Sequence, residues 1–225
     1  MANGIMGDKN PQDYAMSILN TAVLVITRPV DFYREMQRSG GFVDPLIFLV
    51  VMGLVGGILQ TFFALLGLGY GGFGLSSIII APIVAAIFGF VGAAIVFGIW
   101  KLLGSTQSYE VAYRCAAYGA AISPLTTLVQ PIPYLGALVG IAWGLYLMVI
   151  ASTEVHEIEP KKAYIVFGVI GVILAFGSLR AEHMARSFVS KMSGFNNLKT
   201  EEMTPEEAGK KVGEFMKGLQ KGAKD

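Results

Sequence analysis

Residues 45–100 read PLIFLVVMGLVGGILQTFFALLGLGYGGFGLSSIIIAPIVAAIFGFVGAAIVFGIW, 56 positions without one Asp, Glu, Lys, Arg or His. As a single helix this run would be about 84 Å long at 1.5 Å per residue, against a hydrocarbon core of about 30 Å. It must cross a bilayer twice. The break falls in GLGYGGFGLSS, Gly67 to Ser77, whose five glycines make a helix expensive to hold. Two spans result, Pro45 to Leu66 and Ile78 to Trp100.

The whole chain agrees with this reading. Of 225 residues, 54% are hydrophobic and 15% charged, with a mean hydropathy of +0.60, where a soluble domain carries about a quarter charged residues. A net charge of +1 provides no basic excess for nucleic acid. The single Cys115 cannot form an intrachain disulfide.

A second charge-free run, Cys115 to Thr153, covers 39 residues and needs two crossings joined by a tight turn at Gln130-Pro131-Ile132-Pro133. A fifth apolar run of 17 residues, Ala163 to Leu179, is flanked by Lys162 and Arg180, which can snorkel to the headgroups. The expected fold is an all-α polytopic helical bundle of about five transmembrane helices. Residues 1–44 form N-terminal interfacial helices, 45–179 the spans, and 180–225 a polar helical or partly disordered tail. Arg28, Arg34, Arg38, Lys101, Arg114, Lys161 and Lys162 fall on alternate connections, which places the N-terminus in the cytoplasm.

At the N-terminus, Asn10-Pro11-Gln12-Asp13 is a helix start with Asn10 as cap; the helix runs to about Thr27 and is interrupted by Arg28-Pro29. A second short helix follows from Val30 to Gln37. Their plain role is to cover the bundle's cytoplasmic end. In the tail, Gly194-Phe195-Asn196-Asn197 is expected to break the helix leaving span five, and Thr204-Pro205-Glu206-Glu207 is a capping box opening an amphipathic helix.

Small residues recur four apart at Gly53 and Gly57, at Ala112, Ala116 and Ala120, and at Gly136, Gly140 and Gly144. Such spacing lets membrane helices approach closely, within one chain or between copies. Gly67-Leu68-Gly69-Tyr70-Gly71-Gly72 matches GxGxxG formally but lacks the strand, helix and downstream acid of a dinucleotide site. Ionisable groups gather at the span ends. Glu110 and Arg114, four apart, share a helix face and can pair. Glu154, His156 and Glu157 emerge on the same side and are expected to converge with Glu110, Lys161 and Lys162 into a polar face for a partner or lipid headgroups, with structural ion pairing as the simpler reading. One histidine without ordered ligand spacing does not make a metal site. No catalytic residue set, cofactor site or metal site is expected.

The order of Arg28-Pro29-Val30-Asp31-Phe32-Tyr33, Gly40-Gly41, Pro45, Gly104-Ser105, Tyr109-Glu110, Tyr118, Ser123-Pro124, Trp143, Tyr146, Glu154-Val155-His156 and Lys162-Ala163 resembles the Ypt-interacting-protein family of five-span Yip-domain membrane proteins. The resemblance covers about Thr27 to Leu179. It implies a helical bundle with a cytoplasmic N-terminus and, for eukaryotic relatives, vesicle traffic through small prenylated GTPases. Residues 1–44 lack the acidic-aromatic motif of those relatives, and the short, glycine-rich chain looks closer to prokaryotic members, which would place it in the cytoplasmic membrane. The expected function is a non-enzymatic membrane protein that binds partners or organises membrane, through lipids, other membrane proteins or a homo-oligomer, and not nucleic acid. The alternative is a small-solute transporter or channel, favoured by Pro82 and Pro124 in the spans and disfavoured by the lack of a midplane charge.

Overall fold

The computed structural model describes residues 10–68, 74–198, 209–210 and 213, which divide into units 1–180 and 181–225. In the first unit the order is α1 (Pro11–Thr27), α2 (Pro29–Glu35), α3 (Val43–Leu65), α4 (Ser77–Leu102), α5 (Tyr109–Gly119), α6 (Ser123–Val129), α7 (Leu135–Glu154) and the start of α8 (Pro160–Leu198). Four of these, α3, α4, α7 and α8, are long and apolar enough to cross a membrane. Their outward faces carry large apolar side chains, among them Ile79, Ile87, Phe88 and Ile95 on α4 and Ile173 and Phe176 on α8. Apolar surface on that scale requires lipid rather than water.

The segment expected as the third crossing is two helices, and it is not among those long and apolar enough to cross a membrane. Helix starts at Tyr109, before the charge-free run begins, and a single 3-10 turn, Ala120–Ile122, separates α5 from α6. Pro124 explains the break: with no N–H it cannot bond the carbonyl of Ala120, which instead accepts from the Ser123 N–H in a tighter turn. From Tyr109 to Val129 the interrupted helix is still about 31 Å long.

α3 and α4 form the closest pair, because Gly53 and Gly57 meet α4 without side chains. A Cβ on Gly53 would lie 2.9 Å from Pro82 Cα, and one on Gly57 2.5 Å from the Ser77 carbonyl oxygen. Gly136 likewise faces the backbone of Gln130 at 2.9 Å, and Gly140 packs on Thr126. Gly144 borders open space, with no atom near enough to meet a side chain there.

At one end, here the near end, lie α2 and the α4–α5 and α7–α8 connections. α1 buries Ile18, Ala22 and Val25 against α5 and the 3-10 turn and leaves Met16, Leu19 and Val23 exposed. Together with α2 it forms a bent pair that is apolar enough, by length and composition, for a broken span or a re-entrant loop. Asn10 caps α1 only through its backbone, accepting the Tyr14 N–H at 3.1 Å. Pro29 ends α1, and α2 turns by 120° to pack on α7. It buries Tyr33, whose hydroxyl donates to the Cys115 carbonyl at 3.0 Å, while Phe32 and Phe48 meet the Tyr118 ring edge-on.

In the second unit the backbone stays helical to Leu198, so Gly194-Phe195-Asn196-Asn197 does not break the helix. A glycine inside a helix costs only about 1 kcal/mol relative to alanine, and continuing backbone hydrogen bonds offset it. Glu182 and Arg186 pair across one turn there. The Thr204-Pro205-Glu206-Glu207 start lies outside the described residues.

Candidate functional site at the near end

The expected polar face divides into three parts. Glu110 and Arg114 do share a face of α5, and what they hold is a backbone peptide. Glu110 Oε1 accepts the Gly41 N–H at 2.7 Å, and Arg114 Nη1 donates to the Gly41 carbonyl at 2.9 Å. Gly40 and Gly41 have φ of +118° and +80°, a conformation that favours glycine. The two side chains thereby fasten the turn that leads from α2 into α3. The Arg114 guanidinium is buried over the Tyr118 ring.

Glu154 and Glu157 reach α2 and the residues that follow it. Arg34 Nε bonds Glu154 Oε2 at 3.0 Å, Arg38 donates to the Glu154 carbonyl at 3.3 Å, and Arg38 lies 3.8 Å from Glu157. Glu157 has a φ of +55°, a left-handed turn that carries the chain from α7 into α8. Each pair has a solvent-facing partner, Arg34 at 62% and Glu157 at 78% exposed, while Glu154 is half-buried, so the pairs themselves contribute little stability. Lys162 pairs with Glu159 at 3.5 Å within the first turn of α8, and Lys161 beside it is exposed. Neither lysine is bonded to the Arg34–Glu154 strip.

His156 is not part of that surface. It is 4% exposed and stacks on Trp100 with ring centroids 3.8 Å apart. The α4 C-terminus closes with the Ser105 N–H on the Trp100 carbonyl and the Gly104 N–H on that of Lys101, Gly104 taking φ +97°. This ending, which favours a glycine, sets Ser105 Oγ 2.7 Å from His156 Nδ1. Ser105 Oγ also accepts from the Gln107 N–H. The hydroxyl keeps a second lone pair as well as its proton for Nδ1, so the bond forms with either tautomer of the neutral ring; Nε2 has no partner among the described residues. Trp100 Nε1 donates to Ser152 at 2.7 Å. A serine beside a histidine suggests a nucleophile, but both are buried and the hydroxyl is spent on tying two connections together. The signal for this cluster in the sequence is the Trp100–Gly104–Ser105 spacing, which marks a helix end and says nothing of His156.

Burial, and then the positive charges of Arg38 and Lys101, lower the His156 pKa from 6.5 to about 3. Unfolding exposes a ring that takes up a proton below about pH 6.5, so this neutral ring's contribution is complete above that pH and is lost as the pH falls toward 3. Acidifying the protein in nanodiscs from pH 7 to 5 is expected to lower stability by up to about 2 kcal/mol. His156→Gln should flatten that slope, measured as the melting midpoint against pH.

A family model described as the Yip1 domain matches residues 23–179, more than two-thirds of the chain. The chain belongs to the Yip1-domain family. The Yip1 match starts inside α1 and ends inside α8, so it takes in Arg34, Arg38, Gly41, Trp100, Ser105, Glu110, Arg114, Glu154 and His156. With its apolar outward faces this is a multi-pass membrane protein of the Yip1 family. Comparison with curated proteins and with solved structures gives no match to this Yip1 chain.

Proposed function

We propose that this protein is a non-enzymatic membrane organiser whose near end docks another membrane protein or lipid headgroups, using the Arg34–Arg38–Glu154–Glu157 strip and the exposed apolar side of α1. One observation supports this most. The cations Arg34, Arg38, Lys101, Arg114, Lys161 and Lys162 all sit at the near end, while the connections 66–76 and 130–134 carry no charge. By the preference of Lys and Arg for the cytoplasmic side, the near end and the N-terminus face the cytoplasm. Binding of a small GTPase is the family analogy among possible partners.

A charge swap separates docking from simple ion pairing. Arg34→Glu with Arg38→Glu should cost no more than about 1 kcal/mol per pair and should abolish crosslinking of the native-membrane partner. Adding Glu154→Lys and Glu157→Lys should recover the share of the melting midpoint that the two ion pairs hold, though not that of the Arg38 bond to the Glu154 carbonyl, and should leave crosslinking lost, because the strip now carries inverted signs. Crosslinking that returns together with stability would make the strip structural and sink the proposal.

A further inference from the structure

A groove of about 410 Å³ runs between α3, α4 and α6. One end is polar, with Gln60, Ser77 and Thr127; the other is apolar, with Leu49, Met52 and Ala85. Its floor is made of the small residues Gly53, Gly56 and Ala81. No ionisable residue lines it. Its rim is open sideways at Gln60 and Val84, both on the exposed surface of their helices. We propose that this groove binds an uncharged, small-headed lipid, with its chain along α3 and its single alcohol or carbonyl oxygen at Gln60.

Three observations lead to that occupant. From Leu49 to Gln60 the groove is about 16 Å long at 1.5 Å per residue, a length that one extended hydrocarbon chain fills. Water is a poor filling, since a buried water needs two to four polar partners and the Leu49–Met52–Ala85 end has none to offer. Finally, two polar groups at the groove lack partners. The exposed Gln60 amide at the rim makes no hydrogen bond among the described residues, and Ser123 Oγ, sealed beneath the surface, has none either. An unsatisfied amide in hydrocarbon is costly, and an occupant's oxygen would satisfy it.

Depth selects the headgroup. Gln60 lies five residues inside the end of α3 at Leu65, about 8 Å along the helix. A phospholipid could bring an oxygen to that depth only by drawing its phosphate into the hydrocarbon, whereas an uncharged head carries no such penalty. The groove shares no residue with the near-end docking surface, so either can fail without the other.

The test uses full-length protein in phosphatidylcholine vesicles containing a long-chain fatty alcohol with a mid-chain diazirine. After illumination, adducts should concentrate on peptides carrying Met52 and Ile80 over those carrying Phe88 and Ile95, and unlabelled alcohol should compete them away. Gln60→Leu, on the exposed rim, should lower groove labelling about three- to tenfold, the weight of one hydrogen bond. A phosphatidylcholine carrying the same diazirine should label groove and outward faces alike. Labelling of the groove that is no stronger than at Phe88, that does not compete, or that survives Gln60→Leu unchanged overturns the proposal. So does equal groove enrichment with the phosphatidylcholine probe, or a crosslink there to a second copy.

Discussion

Trp100→Ala is expected to cost about 3–5 kcal/mol, the usual range for deleting a fully buried indole. The side chain is 0% exposed and joins three segments that no covalent crosslink holds together. It stacks on His156 from the α7–α8 connection, donates to Ser152 on α7, and lies 6.4 Å from the Phe167 ring on α8. Trp100→Phe separates the contributions. It keeps an aromatic ring against His156 and loses the indole N–H; Ser152 Oγ still donates to Met148 at 2.6 Å and is not left orphaned. The cost should then fall to about 1–2 kcal/mol. Thermal or denaturant unfolding in nanodiscs reads both. Equal losses for the two variants would mean that the hydrogen bond, rather than packing, holds the near end.

How much of this arrangement is legible in the chain depends on the range of the force involved. The spans at α3, α4, α7 and α8 follow from charge-free runs, because the cost of a charge in hydrocarbon acts on each residue alone. The broken helix of α5 and α6 is half visible: Pro124 announces a disturbance, but charge depletion starts at Cys115 and hides the polar first turns from Tyr109, which leave this segment outside the helices apolar enough to cross. Glu110 and Arg114 are readable as face-sharing, since i and i+4 is local geometry. That they grip Gly41 is not, because 69 residues separate Glu110 from its partner. The same applies to Glu154, whose partner Arg34 lies 120 residues away. His156, flanked by glutamates, reads as surface; its burial depends on Trp100 arriving from another helix. Gly194 through Asn197 reads as a break because propensity is a sum of small costs, and a formed helix overrides it.

Gly57→Ala and Gly144→Ala should shift stability in opposite directions, although both replace a helical glycine. Inside a helix the change itself favours alanine by about 1 kcal/mol. At Gly144 nothing lies within 4 Å of the new Cβ, so that gain should appear as a raised melting midpoint. At Gly57 the Cβ would stand 2.5 Å from the Ser77 carbonyl oxygen and 3.2 Å from Ala81 Cβ. The first of these is backbone and cannot rotate away, so α3 and α4 must separate, at an overpacking cost of about 1–3 kcal/mol, or more with Gly57→Leu. The separation also removes contacts at Gly53, whose Cβ position is 3.0 Å from Ala85 Cβ on the same seam. Unfolding in mixed micelles would show the sign at each site. A destabilising Gly144→Ala that also dissolves an oligomer would place a second copy against α7 and give that glycine the packing role it lacks within one chain; a neutral Gly57→Ala would mean that the α3–α4 seam is looser than its backbone contacts require.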